Sequence, residues 1–157
     1  MGWARAFHPS YEKTPIMTTT PVTFSLDQLD LGKRCEEAFE FEVLADATGK
    51  GIGIHLTIIG GHAPQVQSFI AKNLNERRVF EQMQEKRGKR AAVRKIEDDI
   101  EFGTELAAIR IVGWRGISEP CTFENAVHLC TINPPIKEQV LKASEDLANF
   151  TKQPAKT

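Results

Sequence analysis

The stretch from Glu97 to Ile117, Glu-Asp-Asp-Ile-Glu-Phe-Gly-Thr-Glu-Leu-Ala-Ala-Ile-Arg-Ile-Val-Gly-Trp-Arg-Gly-Ile, constrains the fold more than any other. Ile96, Ile100, Gly103, Ala107, Ile111 and Trp114 recur at steps of four and three, the signature of one helix face. Phe102, Leu106, Ile109 and Val112 make a second apolar stripe beside it. A helix apolar on two sides needs neighbours on both, so this spacing predicts the buried centre of a helical cluster. Gly113 and Gly116 are the expected stop.

Two runs upstream have a different period. In Phe39-Glu-Phe-Glu-Val-Leu the residues Phe39, Phe41 and Val43 point one way and the glutamates the other; Ile52, Ile54, Leu56 and Ile58 repeat the alternation. Joined by Asp46-Ala-Thr-Gly-Lys-Gly, the pair reads as an antiparallel hairpin. A lone two-stranded ribbon is marginal in water, so it must pack on helices or gain a third strand. Val22 to Leu26 is one candidate for that strand. Another chain, paired along the hairpin edge as a homo-oligomer, is the other.

The remaining chain is helical in pattern. Leu29 to Ala38 has room for a helical turn with Cys35 packed inside. Pro64 suits the first turn of a helix whose stripe is Val66, Phe69, Ile70 and Leu74, continuing to Phe80, with Val79 and Met83 falling to the side. Lys86-Arg-Gly-Lys-Arg is a basic joint. Thr122 is a natural N-cap for Phe123, Ala126, Val127 and Cys130. After Asn133-Pro-Pro, the residues Ile136, Val140, Ala143, Leu147 and Phe150 keep an amphipathic rhythm. The fold class expected is therefore α+β, an antiparallel hairpin with a possible third strand on a mainly α-helical bundle. Its core should hold Phe39, Phe41, Ile54, Leu56, Ile100, Gly103, Ala107, Ile111, Trp114 and Phe123.

The 157 residues suffice for one domain with a real core, expected over 22–152, behind a flexible leader at 1–21 and before a flexible tail at 153–157. Residues 1–16, aperiodic and followed by Met17-Thr-Thr-Thr-Pro, read as a leader or an over-extended start. Lys and Arg number 20 against 21 Asp and Glu, so no net field selects a polyanion or a membrane surface. No apolar run approaches the ~18 residues of a membrane span. Three cysteines, Cys35, Cys121 and Cys130, have no framework spacing, which suits a reducing compartment.

Chemistry-bearing patterns are sparse. Cys121, His128 and Cys130 match no structural-zinc spacing, and two residues apart on a helix point to different sides. Glu97, Asp98, Asp99 and Glu101 sit early in a helix, where carboxylates complement the dipole. Gly49-Lys-Gly-Ile-Gly and Gly60-Gly61 join antiparallel strands and lack the phosphate-loop sequence. The basic residues Lys86, Arg87, Lys89, Arg90, Arg94 and Lys95 lack interleaved aromatics and precede an acidic run, which disfavours nucleic acid. No catalytic, cofactor or metal site is expected, and the chain reads as a non-enzyme.

The order of features resembles a known family. Asp46-Ala-Thr-Gly-Lys leads to Ile-Ile-Gly-Gly-His-Ala-Pro and a charged helical middle ending in Val112-Gly-Trp-Arg-Gly-Ile. Cys-Thr-Phe-Glu-Asn-Ala, Asn-Pro-Pro-Ile-Lys-Glu-Gln-Val and Ala-Asn-Phe follow. This resembles the small tail assembly chaperones and related tail-morphogenesis proteins of long-tailed bacteriophages, over roughly 39–151. His62 departs from the family, where a capping Asp or Ser is common.

The resemblance implies a non-enzymatic helper in the host cytoplasm that coats the tape-measure protein, helps recruit tail tube subunits and is absent from the finished virion. Such a helper needs an apolar stripe for client helices. Val79 with Met83 is one expected partner surface, and the C-terminal face Ile136, Val140, Leu147 and Phe150 is another, against the plain alternative that these residues fill the core. A permanent tail or neck component and a small nucleic-acid-binding regulator are the competing readings.

Overall fold

The computed structural model describes residues 23–45, 48–88 and 95–151. A three-stranded antiparallel sheet in the order β1-β2-β3 is built from β1 (Phe39–Leu44), β2 (Gly51–Ile58) and β3 (Ile111–Arg115). The described residues also form five α-helices: α1 (Leu31–Glu36), α2 (Pro64–Lys86), α3 (Ile96–Ala108), α4 (Phe123–Ile132) and α5 (Pro134–Glu145). The fold class is α+β, as the sequence indicates. The leader 1–21, the tail 153–157, Val22 and the basic residues Lys89, Arg90 and Arg94 lie outside the described residues.

The third strand corrects the reading of the central stretch. The helix stops at Ala108, and Ile111 to Arg115 pair with β2, Trp114 opposite Leu56 and Ile111 opposite Ile58. The four-three rhythm runs unbroken through Ile111 and Trp114, so periodicity alone carries the helix too far. Composition marks the change: Ile109, Ile111, Val112, Gly113 and Trp114 are poor helix formers, and all but the glycine favour strands. Pairing with β2 also satisfies the hairpin's need for a third strand. Thr23 to Leu26, the described part of the other candidate, forms no strand.

Ile59, Gly60 and Gly61, just past β2, tie the layers together. The Ile59 N–H donates to the Arg110 carbonyl at 2.9 Å, Gly60 N–H to that of Cys35 at 2.8 Å, and Gly61 N–H to that of Ser144 at 3.1 Å. Three elements distant in sequence thus meet on three consecutive residues. Gly60 has to be glycine here: a Cβ would lie 2.5 Å from the Cys35 sulfur. Gly116, at φ +87°, likewise turns the chain out of β3, with the Gly53 carbonyl oxygen where a Cβ would go.

Leu56, Ile58, Val43, Val66, Ala107, Ala126 and Val140 are buried at the centre, with Cys35 and Cys130 filling small gaps. Among the residues expected in the core, Leu56, Ala107 and Ile111 are buried. Phe39, Phe41, Ile54, Gly103 and Trp114 are half-buried. Two are not core. Ile100 is 58% exposed, because burial on α3 begins only at Phe102 and the residues before it are exposed. Phe123 opens α4 at the rim, with one side near Phe69 (centroids 6.4 Å apart) and much of the ring exposed.

Caps set the helix starts. Thr122 accepts the Asn125 N–H at 3.2 Å and Asn133 the Ile136 N–H at 3.3 Å, and Pro134 follows in the first turn of α5. α5 ends at Glu145, earlier than its apolar rhythm suggests. Asp146 then accepts the Ala148 N–H and starts a 3-10 turn, Leu147–Asn149. That turn exposes Leu147 and returns Phe150 to the core, where its ring meets Phe39 edge-on at 6.1 Å.

Candidate functional site

The C-terminal partner surface does not survive folding. Ile136, Val140 and Phe150 are buried, with α5 packed on α3 and α4 and Phe150 against Phe39 of β1, leaving only Leu147 of that group at the surface. The stripe is apolar because it is core, and no partner can reach it in this fold.

Val79 and Met83 have a different fate. α2 is 23 residues long, about 34 Å at the usual helical rise. It meets the rest of the molecule mainly in its first four turns. Val66 is buried there, Phe69 stacks on Phe102 at 6.0 Å, and the Arg77 guanidinium lies 5.1 Å above the Phe102 ring. Arg77 also approaches Asp99 at 3.9 Å. Beyond Arg77 every described residue of α2 is exposed except the half-buried Gln84. Val79 is 51%, Phe80 55% and Met83 54% exposed. Phe80 belongs to the stripe that periodicity directs inward. It is exposed because α2 outlasts the body it packs on, a fact of length rather than of pattern. Leu74 on α2 and Ile96 on α3 add further exposed apolar surface.

Among the described residues the polar groups singled out in the sequence do not converge on a reactive centre. His128 is exposed while Cys130 is buried, on different sides of α4. Burial holds the Cys130 thiol up to about 11 and also raises that of Cys121, the opposite of an activated nucleophile. Among the described residues no group of three or more His, Cys, Asp and Glu is placed to hold a metal ion. None of their helices is long and apolar enough to cross a membrane.

Two polar arrangements had no sequence signal. On the outer face of the sheet, Glu40 on β1 pairs with Arg115 on β3 and lies 3.6 Å from His55 Nδ1 on β2, a clasp across all three strands. Such cross-strand pairs depend on register, which only the fold supplies. Inside, the Arg110 guanidinium packs against Gly61, 4% exposed, with its Nη1 3.6 Å from the Glu145 carboxylate. Burial lowers its pKa and Glu145 pushes it back up.

The β1 edge, offered by the hairpin as an oligomer contact, is occupied at one end. The Gln139 side chain of α5 accepts the Leu44 N–H at 2.9 Å and donates to the Leu44 carbonyl at 3.0 Å, standing in for a neighbouring strand. Comparison with family models, with curated proteins and with solved structures finds no match.

Proposed function

We propose that this chain is a tail assembly chaperone of a long-tailed bacteriophage, working in the host cytoplasm on the tape-measure protein and tail tube subunits without catalysis. The resemblance of the motifs from Asp46 to Phe150 suggests the family. The single observation that supports a polypeptide-gripping role is the projecting half of α2, where Val79, Phe80 and Met83 are exposed together. Apolar side chains on an unpartnered helix fit the apolar face of another helix, and methionine adapts to variable contours. The charged residues around them, Arg78, Glu81 and Glu85, keep such a surface soluble.

Co-expression with tape-measure fragments tests the reading. The expected result is a soluble complex that survives size exclusion and is lost in Val79→Asp/Met83→Asp, whose circular dichroism stays that of the parent. Fragments that aggregate as much with the chain as without it would overturn the proposal.

A further inference from the structure

Glu76, Phe80 and Met83 of α2 and Arg87, which caps its C-terminal end, follow one another at steps of four, three and four. At about 100° per residue they fall in one narrow stripe. All four are exposed, and neither Glu76 nor Arg87 has an ion-pair partner among the described residues. The order matters. Read backwards, acid-Phe-Met-base becomes base-Met-Phe-acid, which is its own complement.

We propose that α2 pairs antiparallel with α2 of a second copy about a two-fold axis passing between Glu81 and Gln82. Phe80 then packs on the partner's Met83, and Met83 on the partner's Phe80. At the two ends Glu76 meets the partner's Arg87 and Arg87 the partner's Glu76. Val79 flanks the apolar centre and covers its side. A parallel arrangement sets Glu76 against the partner's Glu76 and Arg87 against the partner's Arg87, so charge selects the antiparallel one. Isologous pairing of this kind closes on itself and gives a dimer rather than a filament. An isolated helical segment of about ten residues is marginal in water, so pairing also supports the unpacked end of α2.

Few side chains per copy take part, which places the contact at the small end of protein interfaces and makes the dimer weak. Assembly is expected at about 100 μM and dissociation at about 1 μM. The inference does not rest on the chaperone reading, because it concerns the chain alone. Both use Met83, so a client bound along the stripe and the dimer exclude one another.

Sedimentation velocity of the full chain at low salt, across that concentration range, is the test. The chain should pass from monomer to dimer. Glu76→Arg and Arg87→Glu should each weaken dimerisation at least tenfold, since each sets like charges together at both ends. An equimolar mixture of the two variants should recover it, because every end contact in the mixed pair again joins opposite charges. Phe80→Glu should stay monomeric with an unchanged helical signal. A chain monomeric throughout, a dimer indifferent to the charge reversals, or a mixture that fails to recover would each overturn the proposal. A free chain that stays monomeric at every concentration yet binds a tape-measure fragment through Met83 would overturn it while leaving the chaperone reading standing.

Discussion

Ser144, fully buried on α5, donates its hydroxyl to the carbonyl of Ile59 at 2.8 Å, across 85 residues of sequence. The backbone carbonyl of Ser144 receives the Gly61 N–H in return. The helix α5 is thereby bonded twice to the segment just past β2. Ser144→Ala removes one bond and leaves the Ile59 oxygen buried without that donor, a loss of about 1–3 kcal/mol. Ser144→Val should cost at least as much, because its extra bulk meets a closely packed interior. Urea denaturation followed by circular dichroism measures both; a midpoint unmoved in Ser144→Ala would show that the bond carries no weight.

Gly60 is the second point where sequence-distant elements meet without slack. An added methyl would lie 2.5 Å from the Cys35 sulfur, 2.7 Å from its Cβ and 3.2 Å from its Cα. Atoms that close must move, and the shift falls on buried Cys35 and the backbone of α1. Gly60→Ala should cost about 1–3 kcal/mol, as overpacking typically does. Adding Cys35→Ala should restore only part, because the sulfur goes and the Cβ stays. Full restoration would place the conflict at the sulfur alone.

These two sites show which parts of the fold are legible in the sequence. The hairpin was readable because Phe39, Phe41 and Val43 alternate with acids, and the α4 start because Thr122 precedes an apolar helical run. The β3 strand was not: Ile111 and Trp114 lie in register with the face Ile96, Ile100, Gly103 and Ala107, and a local period cannot see that β2 needs a neighbour. The candidate surface was half legible. Val79 and Met83 stand off the main stripe in the sequence, whereas the period directs Phe80 inward. The C-terminal face misled for the opposite reason, since a core stripe and a docking stripe have one and the same pattern.

Gln139 guards the open end of β1. Its amide replaces both partners that a neighbouring strand would offer Leu44, so Gln139→Ala should free the N–H and carbonyl together. Amide exchange at Leu44 should then accelerate at least tenfold, with a stability loss of about 1 kcal/mol. Self-association through the hairpin edge should also rise, giving oligomers that Phe80→Glu does not remove. Unchanged exchange at Leu44 would mean that water serves the edge as well as the side chain does.

Cys130 gives the chain an alkaline limit. Burial holds its thiol at about 11 in the folded state, against 9.0 for a free one. The folded form therefore keeps its proton where the unfolded chain has lost it. With folded pKa above unfolded, the stabilisation is complete below about pH 9 and drains away as pH rises toward 11, by about 2 kcal/mol over that window. Cys121, whose thiol burial also raises, adds a smaller loss of the same sign. Denaturation midpoints at pH 8, 9, 10 and 11 should fall steadily in the parent. In Cys130→Ala, which starts lower because a buried sulfur is missing, the decline should be flatter. If the parent and the variant lost stability in parallel, the alkaline slope would belong to other groups.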